Sequence, residues 1–317
     1  MVNPSTPVRL GCFYRSLPMM VAQQNGYFDE VGIEVEYQQV TSSTQQFEYL
    51  QDGRYDVVQT SPDNTANYRY NDGNPIGTRV DGKGFMGMDY GMQLIVVARS
   101  GIESLGQLRG RTVAVDAPAS GFAYALYEIL ERAGLRRDID YSVVSAGGVY
   151  DRYQAFVNSD EFDATLLSGG FETRAANAGF VMLDSVYDVA NPYLGVWGAA
   201  TTSWLEGSRD TAEALVAAYR SATRWCFEPG NHEQCLDLLM QQPDTPRGLA
   251  EQLYDIQLRE GVGNVPDVGI EPEAVRNVLR LREKFGGFEG DVDVEAVTAP
   301  GGDLYDLSLL RAVERAG

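Results

Sequence analysis

The residues of this chain that could do chemistry fall into a few short segments. Cys12 closes an apolar run, Val8–Phe13, and is followed by Tyr14 and Arg15. A thiol there would act as a nucleophile only beside a base or cation that lowers its pKa. The single histidine, His232, lies far along the chain, so Cys12 reads as a core residue. Arg15 and Arg152 could each grip a carboxylate, sulfonate or phosphate bidentately, and Arg15 could equally pair with a surface acid. Phe13, Tyr14, Phe122, Tyr150, Phe171 and Trp197 could sandwich a flat or apolar body, although packing is the commoner use of an aromatic after a strand. Ser42, Ser43, Ser61, Ser120 and Ser168, with Asn64 and the unhindered Gly121, could orient polar groups. Asp63, Asp116 and Glu172 are candidates for acid–base work, and Asp63 and Asp116 also look like helix caps.

Other chemistries lack their motifs. There is no G-x-x-x-x-G-K-[ST] phosphate loop and no G-x-G-x-x-G dinucleotide turn, so no cofactor is expected. Cys226, His232 and Cys235 fit no common zinc spacing, and no metal is expected either. Three cysteines at irregular spacing are not a disulfide framework, though Cys226 and Cys235 could pair in an oxidising compartment.

The elements that must position these residues repeat. Val8–Phe13 predicts a strand, Met19–Phe28 a helix ended near Gly26, Ile33–Val40 a strand, the segment through Phe47 and Leu50 a helix, and Tyr55–Gln59 a strand. The same run recurs as strand 111–116, helix 122–133, strand 140–144, helix 150–158 and a strand opening at Phe162-Asp163-Ala164. Each β-α-β-α-β run predicts a mainly parallel sheet covered by helices. Two runs predict two lobes. Gln93–Arg99 is read as crossing from the first lobe to the second, and Tyr193–Thr201 as crossing back. The expected division is residues 1–97 with 201–317 for lobe one and 98–200 for lobe two. Ligands of open parallel sheets bind beyond the C-terminal strand ends. That rule gathers six loops at one interlobe cleft, and they carry the residues named above.

Composition narrows the partners. The chain has 317 residues, 45 acidic against 25 basic, and a net charge of −20. With no Lys/Arg run and only Lys83 and Lys284 as lysines, nucleic acid and anionic membranes are not expected partners. The N-terminus lacks the basic and apolar regions of a signal peptide. The expected location is periplasmic or cell-surface if a leader has been removed, and otherwise cytoplasmic. A monomer that binds a small molecule is expected.

Two segments carry a family resemblance. Asn25-Gly-Tyr-Phe-Asp-Glu-Val-Gly-Ile-Glu-Val-Glu36 resembles the "GYF…GL-V" signature of the nitrate/sulfonate/taurine and pyrimidine-precursor (NMT1-like) group of substrate-binding proteins. Ser100-Gly-Ile-Glu-Ser-Leu-Gly-Gln-Leu-Arg-Gly-Arg-Thr-Val-Ala-Val-Asp116 resembles that group's crossover segment, and Gly134-Leu135 and Phe162-Asp-Ala164 fit the same pattern. The resemblance spans about Val8 to Trp225. It implies a type II periplasmic-binding-protein fold and a receptor that hands a small anionic or aromatic solute to an ABC importer's permease. The group also contains cytosolic enzymes, so a decarboxylase, isomerase or desulfinase-like activity on a small aromatic or carboxylic acid is the alternative. The desulfinases' cysteine aligns with Phe13 rather than Cys12, and one residue along a strand means the opposite face.

Overall fold

The computed structural model describes residues 7–316; residues 1–6, read above for a leader, and residue 317 lie outside them. Among the described residues ten strands form: β1 Val8–Cys12, β2 Val35–Gln39, β3 Val57–Thr60, β4 Gly82–Asp89, β5 Ile95–Ala98, β6 Thr112–Val115, β7 Ser142–Ser145, β8 Ala164–Leu167, β9 Val181–Ser185 and β10 Val196–Thr201. They build two five-stranded sheets, ordered β2-β1-β3-β10-β4 and β7-β6-β8-β5-β9. The two orders are the same pattern, so the duplication read from the sequence is a duplication of topology.

In each sheet one strand runs against the other four. In the first it is β10, antiparallel to β3 and β4; in the second it is β5, antiparallel to β8 and β9. The reason is geometric. β4 ends at the C-terminal edge of its sheet, the chain crosses, and β5 enters the second sheet from the edge that faces the first. β9 and β10 repeat this in the other direction. The crossings therefore lie at residues 90–94 and 186–195. The expected boundaries, 97/98 and 200/201, fall a few residues late: β5 belongs wholly to the second sheet and β10 wholly to the first. β4 and β9 carried no strand prediction. β4 reads Gly-Lys-Gly-Phe-Met-Gly-Met-Asp, and its glycines mask the strand pattern.

The glycines answer close approaches. A Cβ on Gly84 would lie 2.4 Å from the Trp197 ring, and one on Gly91, at φ +70°, would lie 2.7 Å from the Gly195 Cα. The two crossings thus meet backbone on backbone, where only glycine fits.

The helix Pro272–Lys284 ties the lobes together. It covers the second lobe's helix Gly121–Arg132, which is apolar nearly all round because it is sandwiched between sheet and helix. Tyr124 stacks on Phe285 with ring centroids 6.0 Å apart. One continuous apolar cluster runs through Phe47 of the first lobe, Leu126 of the second and Leu279 of this helix. At the opposite rim Arg174 donates to Asp244 O at 2.9 Å and Thr245 Oγ1 at 2.6 Å, and Asn177 donates to Gln252 at 2.8 Å. The lobes touch on both rims, which is a closed arrangement. No helix among the described residues is long and apolar enough to cross a membrane.

Candidate functional site

A cavity of about 220 Å³ lies between the sheets, and all six loops predicted to reach it do so. Three serines have a backbone task there. Ser42, Ser61 and Ser120 accept the N–H groups of Gln45, Asn64 and Ala123, each at 3.1 Å. They cap the helices Ser43–Gln51, Pro62–Tyr70 and Gly121–Arg132. With Gly148, which opens the helix Val149–Asn158, four helix N-termini face the cavity. The capping expected of Asp63 and Asp116 therefore falls to Ser61 and Ser120. Each helix end offers free N–H groups and a partial positive charge.

Phe13, Tyr14, Ser43, Asn64, Gly121, Phe122, Arg152 and Ser168 line the cavity as expected. Arg152 is held more tightly than a free clamp. It is 3% exposed and donates from Nε to Thr165 Oγ1 at 2.9 Å, from Nη1 to Gly147 O at 2.7 Å and from Nη2 to Leu166 O at 2.9 Å. Among the described residues no carboxylate forms an ion pair with it; burial lowers its pKa, and the field of Asp116 opposes that only in part.

Five expected residues lie elsewhere. Arg15 is exposed and donates to Gln23 at 3.3 Å. Trp197 is fully buried, with its indole N–H on Thr65 Oγ1 at 2.9 Å. Successive strand residues face opposite ways, so Val196 meets the cavity and Trp197 meets the helix layer. Tyr150 and Phe171 pack on each other, ring centroids 6.0 Å apart, outside the cavity. On that helix Val149 and Arg152, three residues apart, share the cavity face and Tyr150 does not. Asp63 is fully buried behind the wall, where Arg282 binds both its oxygens at 2.7 and 2.8 Å. Arg282 also donates to Asn67 Oδ1 at 2.9 Å, Gly287 O at 2.6 Å and, across the interface, Ala119 O at 2.9 Å.

Sequence reasoning missed the floor of the cleft. Gln59, Asp89, Gln93 and Gly195 line it from the strand ends and crossings. The available signal was a polar residue inside or ending a buried strand, as in Val57-Val58-Gln59. Asp89 is 6% exposed, accepts the Gly91 N–H at 2.6 Å and the Gln93 amide at 3.1 Å, and burial pushes its pKa up to about 7. Glu172 lies beneath the lining, 1% exposed, and its pKa is raised by burial, with a contribution from Asp89, to about 7. Cys12 is in the core, where burial pushes its thiol up to about 12. Among the described residues no three His, Cys, Asp or Glu side chains gather as a metal ion would need.

Comparison with known proteins places this geometry. The structure is similar to the periplasmic nitrate-binding protein NrtA from Synechocystis PCC 6803, at 14% identity and TM-score 0.82, covering 98% of this chain and 89% of that one. It is similar to the alkanesulfonate-binding protein SsuA from Xanthomonas axonopodis pv. citri bound to MOPS, at 13% identity and TM-score 0.72, covering 92% and 98%. It is also similar to a DSZB variant in complex with biphenyl-2-sulfinic acid, at 16% identity and TM-score 0.64, covering 98% and 100%. No curated protein sequence is significantly similar to the chain. A family model described as "ABC transporter, phosphonate, periplasmic substrate-binding protein" matches residues 28–190, just over half of the chain. At these identities the solved structures establish the two-lobed periplasmic-binding-protein fold; the family match goes further, and the chain belongs to the phosphonate-type family of ABC-transporter periplasmic substrate-binding proteins.

Proposed function

We propose that this protein is the solute receptor of an ABC importer, a monomer acting in the periplasm. It captures a small organic molecule, anionic at one end and flat or apolar in its body, and presents it to the permease. The observation that carries this reading is the convergence of four helix N-termini, two from each lobe, on one cavity. Their partial charges favour an anionic or acceptor group of the ligand. The Arg152 guanidinium, which forms no ion pair among the described residues, reinforces that end. Phe13 and Phe122 supply apolar surface for the body. Contacts on both rims make closure over the ligand the natural trapping motion.

Native mass spectrometry of the freshly purified protein tests the reading. A small molecule should travel with the folded protein. Phe122→Ala should weaken its rebinding about tenfold in calorimetry, the scale of one buried aromatic contact. A protein that carries nothing and binds none of a panel of aromatic and aliphatic acids would remove the proposal. Light scattering tests the monomer.

A second reading, acid–base catalysis in the same cleft, draws on the pKa values of Asp89 and Glu172, both raised to about 7 by burial. Turnover of an aromatic acid, lost in Asp89→Asn, would favour it. Binding without turnover across the panel would exclude it.

A further inference from the structure

The floor of the cleft has an electrostatic character opposite to that of its helix ends. Asp89 reaches the cavity wall nine-tenths buried, and no cation pairs with it among the described residues. Its only donors among the described residues are the Gly91 N–H and the Gln93 amide, both neutral. Of the other charged groups on the wall, Arg152 and Asp116 lie on the second lobe and act on each other, which leaves the Asp89 carboxylate as the unbalanced charge. A second observation is independent of this carboxylate. Gln59 and Gln93, each 3% exposed and lining the same cavity, have side-chain oxygens with no hydrogen-bond partner. Buried acceptors without donors are costly, and these two beside an unpaired carboxylate call for a ligand that brings donors. Tyr14 lines the cavity too, within the field of Asp89 and Glu172, and its aromatic ring suits a cation.

We propose that Asp89, with Gln93 and Gln59, binds a protonated amine of the ligand, so that the solute is an amine-bearing aromatic acid lying with its acid toward the helix N-termini and its nitrogen on the cleft floor. This rests on the binding reading above and adds the second end of the molecule. The ammonium would supply the donors that the two glutamine oxygens lack. It would also pair with the carboxylate in a site shielded from water, where a charge-assisted hydrogen bond is strong.

Three probes with one skeleton test it on the whole protein by calorimetry: para-(aminomethyl)benzoate, para-(hydroxymethyl)benzoate and terephthalate. The amine should bind at least about tenfold more tightly than the alcohol, the scale of one charge-assisted hydrogen bond, and terephthalate should bind more weakly than either. In Asp89→Asn the preference for amine over alcohol should disappear. If that variant does not fold, the ranking of the three probes on the native protein still decides the matter. Terephthalate or the alcohol binding as tightly as the amine, or an amine preference that survives Asp89→Asn, overturns the inference and leaves the receptor reading intact. Binding of none of the three overturns it too, and the receptor reading is then judged by whether native mass spectrometry finds a carried molecule.

Discussion

Cys12 lies on β1, 3% exposed, and burial pushes its thiol up to about 12. Cys12→Ser should leave ligand affinity within about threefold and lower stability by about 1 kcal/mol, the cost of a buried hydroxyl; calorimetry and chemical denaturation read the two effects separately. Asp89 and Glu172 carry a different consequence of burial. Their folded pKa values, about 7, exceed those of the unfolded chain. Between roughly pH 4 and 7 the folded protein therefore binds more protons than the unfolded one, and stability falls as pH rises through that window. The ligand-free protein should lose melting temperature from about pH 5 to pH 8, and Asp89→Asn should make that slope shallower. A slope unchanged in the variant would show that Asp89 is not the titrating group. The net charge of −20 acts in the same direction, since lower pH relieves repulsion.

Helix ends decide most of the site. Ser42, Ser61 and Ser120 were visible in the sequence as polar residues after strands, and each caps the helix behind it. The Asp63–Arg282 pair was not visible, because its members lie 219 residues apart. Arg282 fills all five donor positions and holds three segments together: the helix Pro62–Tyr70, the turn at Gly287 and the second-lobe loop at Ala119. Arg282→Met would leave the Asp63 carboxylate buried alone and should cost about 3–5 kcal/mol in urea denaturation. Asp63→Leu together with Arg282→Met should recover much of that loss, because it removes both charges. If the double variant is as unstable as the single one, the pair holds the loops by shape rather than by charge.

Across the whole molecule, closure depends on lobe surfaces that fit without side chains in the way. A Cβ on Gly121 would sit 2.5 Å from the Asp63 side chain across the interface. Gly121→Ala should wedge the lobes apart and weaken ligand binding about tenfold, with a larger radius of gyration in small-angle scattering at saturating ligand. Unchanged scattering and affinity would mean that the interface yields at that point. The architecture around this interface is largely local in origin. Apolar strands followed by Gly-ended helices, repeated twice, require two sheets with their helices. The position of ligand sites beyond strand C-termini then requires six loops at one cleft. Those demands act over a few residues, so the amino-acid sequence alone determined the fold class, the two lobes and the loops at the cavity. Which side chain of a loop enters the cavity was decided only by tertiary structure. Val196 enters and its neighbour Trp197 does not; Phe13 enters and Arg15 does not. Asp89 and Gln93 reach the floor because two distant crossings pack together at Gly91 and Gly195. Such choices depend on contacts between segments far apart in the chain, and no local periodicity records them.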